Sequence, residues 1–128
     1  MKDMSDYRPH MRSKVRSKAI TDAAAGKPCT VRVSSFYPGH RCAEDGTTVF
    51  CHFGGVTKGT GTKVSDLDGG YGCVNCHAIV DGVDRKRREY LIEKYPAAIE
   101  ARMRQSVSET LAILVDEGIV VIPKGEVI

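Results

Sequence analysis

The residues most able to do chemistry lie in one short run, Cys73-Val74-Asn75-Cys76-His77-Ala78-Ile79-Val80-Asp81. A Cys-x-x-Cys turn lets two thiolates and nearby backbone N–H groups wrap one zinc ion. His77 follows directly, and Asp81 stands four residues beyond it. A helix beginning at the second cysteine sets His77 and Asp81 one turn apart on the same face. The run therefore holds two metal-binding elements, a soft thiolate pair and a nitrogen/oxygen pair suited to a harder divalent ion.

A tetrahedral zinc site needs four ligands, and the chain has five cysteines. Cys29 and Cys42 form the second, looser pair, with twelve residues between them. Joined to Cys73 and Cys76, they would close a Zn(Cys)4 staple, and metal-binding energy would become folding energy. His40 competes as a ligand from the 29/42 side. Cys51 is left over. Period-two alternation sets it on the opposite strand face from His52, as a small core residue. His52 itself ends the clearest strand signal in the chain.

The remaining composition bounds these readings. A chain of 128 residues suits one domain, 1–128, with 41% hydrophobic and 27% charged residues. Aromatic content is 6% with no Trp, so the core is modest and a metal staple is in keeping with it. No apolar run reaches membrane-spanning length, and the charged N-terminal residues contain no hydrophobic signal region. The expected location is cytoplasmic, where thiols stay reduced and cysteines serve as metal ligands rather than disulfides. The net charge is only +3. Basic residues nevertheless cluster at Arg8, Arg12, Lys14, Arg16 and Lys18, and again at Arg85-Lys86-Arg87-Arg88. Two such clusters beside a metal site favour a polyanion, although charge runs are also simply solvated helix faces.

The elements that position these residues follow from periodicity. A helix is predicted over 10–25, stopped by Gly26-Lys27-Pro28. Short strands are predicted at 29–33 and 47–53. Residues 54–72 hold seven glycines and no hydrophobic period, which reads as a long loop, functional or mobile. In that loop Lys63 is a candidate phosphate contact, and Gly59, Gly61, Gly69, Gly70 and Gly72 are candidate points of close backbone approach. A helix follows the Cys-x-x-Cys turn to about Val80, broken at Asp81-Gly82. Two C-terminal helices span about 84–94 and 96–118. In the last, Ile99, Met103, Val107, Leu111, Leu114 and Val115 trace a stripe for the core or for an oligomer face. Residues 119–122 read as a short strand or docked tail.

A strand-end histidine facing a helix with two metal ligands is the working arrangement of ββα-metal nucleases. The run 26–33, the strand residues Thr47 to His52, Gly59-Thr60-Gly61-Thr62-Lys63, Asp66-Leu67 and Cys73 to Gly82 together resemble the YbcO-like nuclease family of lambdoid phages and prophages. The resemblance covers about residues 26–82 and implies an α+β fold, with a zinc-stapled ββα-metal (HNH, treble-clef-like) core. An N-terminal helix and a C-terminal helical extension over about 84–118 flank that core. It further implies metal-dependent endonuclease chemistry on DNA, with His52 as general base and His77 and Asp81 holding Mg²⁺ or another divalent ion. Structural zinc would sit on Cys29, Cys42, Cys73 and Cys76. Lys63, Arg85, Lys86, Arg87 and Arg88 would contact nucleic acid. Asp66 or Asp68 stands in the region of the middle HNH asparagine, to position the loop or His52. Cys51 occupies the place where many HNH proteins carry Asp or His.

Two other classes remain open on the sequence. Cys-x-x-Cys-His is also a c-type haem attachment signature, against which stand the second cysteine pair and the missing export signal. A zinc-stapled DNA-binding module of a phage replication or recombination assembly, without catalysis, would share the cysteines and basic clusters but have no use for His52, His77 and Asp81. No membrane is expected as a partner, and the C-terminal helix offers a face for a dimer.

Overall fold

The computed structural model of the chain describes residues 14–54 and 64–128. The element order is α1 (Lys18–Asp22), β1 (Val49–His52), β2 (Gly69–Gly72), α2 (Val74–Asp81), α3 (Arg85–Lys94) and α4 (Pro96–Asp116), with a 3₁₀ turn at Ser34–Phe36 between α1 and β1. The architecture is mixed α+β. Lys63, Gly59, Gly61, Arg8, Arg12 and the first residues of the helix predicted over 10–25 lie outside the described residues.

The two strands pair antiparallel, Val49 opposite Gly72 and His52 opposite Gly69. The partner of the strand predicted at 47–53 is therefore Gly69–Gly72, and not the strand predicted at 29–33. The second strand is the stretch read as loop, because three of its four residues are glycine and leave no side-chain alternation to detect. Packing explains the glycines. A Cβ at Gly70 would lie 2.1 Å from Ser106 Oγ, and one at Gly72 would lie 2.4 Å from Cys51 Sγ. Gly69, Gly70 and Gly72 are thus filled by protein on both faces, rather than open to a sugar-phosphate chain.

Residues 29–33 are not a strand. Arg32 adopts φ 49°, so the chain turns where a pleat would run on. The segment still caps the free edge of β2. Thr30 N–H and Val31 N–H both donate to Tyr71 C=O at 2.7 and 3.0 Å, while Tyr71 N–H donates to Thr110 Oγ1 at 3.1 Å. Thr30 Oγ1 completes the cover through Ser106 Oγ (2.6 Å) and Thr110 Oγ1 (3.0 Å). Those hydroxyls lie on the buried face of α4, whose buried residues are Ser106, Thr110 and Leu114. Of the predicted apolar stripe only Leu114 is buried. Small polar residues win the contact because a glycine strand lies close against the helix and its backbone needs partners.

The helix before the sheet is also shorter than predicted. Ser17 Oγ accepts from Ile20 N–H and caps α1, and Gly26 at φ 79° closes the turn after it. Residues 14–16 are not helical, and Val15 is bonded instead to Ser65 and Asp66. The hairpin lies between two apolar clusters. Phe50 and Tyr71 join Ile20, Ala24 and Leu114 on one side, and Cys51 joins Val31, Val33, Ile79, Val80 and Leu91 on the other. Cys51 is fully buried, as alternation predicts. No strand forms at 119–122: Ile119 and Val120 are half-buried against the first cluster, and Val121 and Ile122 are exposed. Among the described residues no helix is long and apolar enough to cross a membrane.

Candidate metal centre and active-site cleft

The cysteine site is built from two matching turns. Cys73 caps α2 with its sulfur accepting from Cys76 N–H at 3.4 Å. The left-handed residue Arg32 turns its N–H onto Cys29 Sγ, also at 3.4 Å. Arg32 then reaches α4, where its guanidinium donates to both Glu109 carboxylate oxygens at 2.7 Å. Cys42 is drawn in from the loop, where Asn75 Nδ2 of α2 donates to Arg41 C=O at 2.9 Å.

The four sulfurs of Cys29, Cys42, Cys73 and Cys76 all lie within 4.8 Å of one another. Cys42 Sγ is 3.8 Å from Cys29 Sγ and 3.6 Å from Cys76 Sγ. Four thiolates at ~2.3 Å around one tetrahedral ion are separated by about 3.8 Å, so the set fits zinc. Burial and the neighbouring Cys29 charge push the Cys42 thiol up to about 12. The Cys76 thiol lowers Cys29 to about 5, against the effect of burial. Four thiols converging this closely form a set that a cation completes. Ser34 Oγ lies 3.1 Å from Cys76 Sγ as an outer partner. His40 does not join this group. Its ring stands edge-on to Tyr37 with centroids 6.4 Å apart, and burial, then Arg87, hold its pKa below the ordinary value.

On the other side of α2 the geometry changes character. His52, at the end of β1, and His77 and Asp81, one turn apart on α2, line a cleft of about 420 Å³ with Arg16, Val64, Asp66 and Val80. His52 Nε2 lies 2.7 Å from Asp66 Oδ1. The other oxygen of Asp66 accepts from Ser17 N–H at 2.6 Å. Burial pushes the Asp66 carboxyl up, but the bonds from His52 and Ser17 outweigh it and hold it below the usual carboxylate range. An ionised carboxylate can only accept, so in this contact His52 Nε2 carries the proton. His52 also packs edge-on against Phe50, centroids 5.0 Å apart. The His77–Asp81 pair brings one nitrogen and one carboxylate to adjacent turns of α2 beside His52.

The basic block on α3 divides its labour. Arg88 donates to the C=O groups of Val80 (2.6 Å) and Ile79 (3.3 Å), satisfying the C-terminal end of α2. Arg87 bridges to Asp84 at 2.8 Å and stacks over the Tyr37 ring at 5.0 Å. Arg85 pairs with Glu89, and Lys86 is exposed. Half of that block thus supports the fold. Arg16, singled out in the sequence only as one member of a charge cluster, enters the cleft. Nothing in the sequence near Arg16 signals this, because the contact is made to a segment fifty residues away.

A family model described as "Putative nuclease YbcO" matches residues 18–119, and the chain belongs to that family. A nuclease family implies nucleic acid as the substrate class. No curated protein and no solved structure matches the chain.

Proposed function

We propose that the chain is a metal-dependent endonuclease of HNH type that hydrolyses DNA phosphodiester bonds. The carrying observation is the cleft shared by His52, His77 and Asp81, with His52 held through Nε2 by Asp66. The order β1, β2, α2 supports the ββα reading, because it sets the strand-end histidine against the helix that bears the other two residues.

In this reading His52 Nδ1 takes a proton from a water molecule as that water attacks phosphorus, and Asp66 stabilises the imidazolium that forms. His77 Nε2 or Nδ1 and an Asp81 oxygen hold a divalent metal, which when bound supplies charge stabilisation to the phosphate and the leaving oxygen. Asp66, not Asp68, is the residue that positions the base. Cys51 contributes nothing to the cleft, since its sulfur points into the core. The cysteine set holds zinc and fastens the N-terminal end of α2, so that His77 and Asp81 keep their aim. The partner is DNA, and Lys86 with Arg85 gives α3 its exposed positive charge toward it.

The test is plasmid nicking with Mg²⁺ or Mn²⁺. His52→Ala is expected to lower the rate by about 10²–10⁴-fold with bound zinc unchanged. A well-folded, zinc-loaded protein that binds DNA and nicks it with none of several divalent ions would be a zinc-stapled DNA-binding module instead.

A further inference from the structure

The segment before α1 is fastened to the cleft at three points. Val15 N–H donates to Ser65 Oγ at 3.1 Å, and Val15 C=O accepts from Asp66 N–H at 2.7 Å. Ser17 N–H donates to Asp66 Oδ2 at 2.6 Å. The residue between these bonds is Arg16. Its backbone is thus held on both sides by the same Asp66 that orients His52, and its side chain lines the cleft with His52, His77 and Asp81. Arg16 and its neighbours Lys14 and Lys18 are all exposed, but of the three it is Arg16 that lines the cleft.

The charges of the cleft show what such a residue does. Among the described lining residues, Arg16 brings the fixed positive charge, against two carboxylates, Asp66 and Asp81. A phosphodiester is a monoanion and would be repelled by that pair. Among the described residues Arg16 adds fixed positive charge to this cleft, which favours both the bound diester and the second negative charge that develops as water attacks. A guanidinium is suited to this because its fork donates to two phosphate oxygens at once and stays charged at every working pH.

We propose that Arg16 is a catalytic phosphate-binding residue, donating to non-bridging oxygens of the scissile phosphodiester opposite the His77–Asp81 pair. The proposal rests on the nuclease reading above. Arg16 precedes the stretch matched by the family model, 18–119, so family membership does not assign it.

The experiment compares Arg16→Ala, Arg16→Lys, Lys14→Ala and Lys18→Ala with wild type and His52→Ala. It measures plasmid cleavage with Mg²⁺ or Mn²⁺, and binding of a short duplex by anisotropy without added divalent metal. Arg16→Ala is expected to lower kcat about 10²-fold, while duplex affinity falls by less than about tenfold, as for one lost phosphate contact. Arg16→Lys should recover part of kcat, and the two lysine variants should stay within about twofold of wild type. Thermal unfolding and zinc content should not change, because the ties to Asp66 are made by backbone rather than by the Arg16 side chain. Cleavage by Arg16→Ala within twofold of wild type, with His52→Ala inactive, would overturn this proposal and leave the nuclease reading standing. Equal losses in Lys14→Ala and Lys18→Ala would overturn it too, reducing Arg16 to part of a diffuse field. A wild type that never cleaves would overturn both.

Discussion

At the scale of single residues, Asp66 does more than the sequence placed on it. It orients His52 through one oxygen and anchors the arm that carries Arg16 through the other. Asp66→Asn keeps the shape but not the charge that fixes the Nε2-protonated tautomer. The expected result is a loss of about 10–100-fold in kcat with KM little changed, read by steady-state cleavage of a short duplex. The same carboxyl makes a pH prediction. Its folded pKa lies below the ordinary value, so its contribution to stability is complete above the unfolded value near ~3.9. That contribution is lost as pH falls through the lower folded value. Urea midpoints should therefore drop more steeply below about pH 4 in wild type than in Asp66→Asn. Equal slopes would mean that the carboxylate contributes nothing beyond its shape.

At the scale of elements, β2 is the instructive case. Its sequence, Gly-Gly-Tyr-Gly, carries almost no strand propensity, yet it pairs along its full length with β1 and is buried throughout. What makes it a strand is supplied from outside: β1 on one edge, Thr30, Val31 and Thr110 on the other. Gly70→Ala drives a methyl group against Ser106 Oγ. It should destabilise the protein by about 1–3 kcal/mol, measured by urea unfolding, and Gly70→Ala with Ser106→Ala should recover part of that loss. The helices were far more legible. Asp84 caps α3 by accepting from Arg87 N–H, Pro96 opens α4 at its first turn, and Gly82 at φ 88° ends α2. Each is a local signal that needs no partner elsewhere in the chain.

At the scale of the whole molecule, the cysteine set joins three separate parts of the chain: the 29–32 turn, the loop at Cys42 and the start of α2. Purified protein should hold one zinc per chain. Cys42→Ser or Cys76→Ser should lose it together with cooperative unfolding, whereas Cys51→Ala should keep it, as read by metal analysis and near-UV dichroism. Metal-free, the Cys42 thiol is pushed up to about 12, so zinc must displace protons on binding. Affinity should consequently fall as pH falls, which a colorimetric zinc-release titration would follow.

The sequence by itself determined the chemical types available, the stops of α2, α3 and α4, and the division of the 73–81 run into a cysteine pair and a histidine/aspartate pair. These are matters of residue chemistry and of spacing within one helical turn, which a linear chain already contains. Tertiary structure alone decided that Cys42 rather than His40 stands with the other three cysteines, and that the glycine-rich stretch ends in the second strand. It also decided that Asp66 holds His52 and that Arg16 enters the same cleft. Each of those rests on a contact between residues more than a dozen positions apart, or on backbone groups that have no side chain to announce them. Local pattern cannot encode such contacts, because they exist only once the two segments have been packed together.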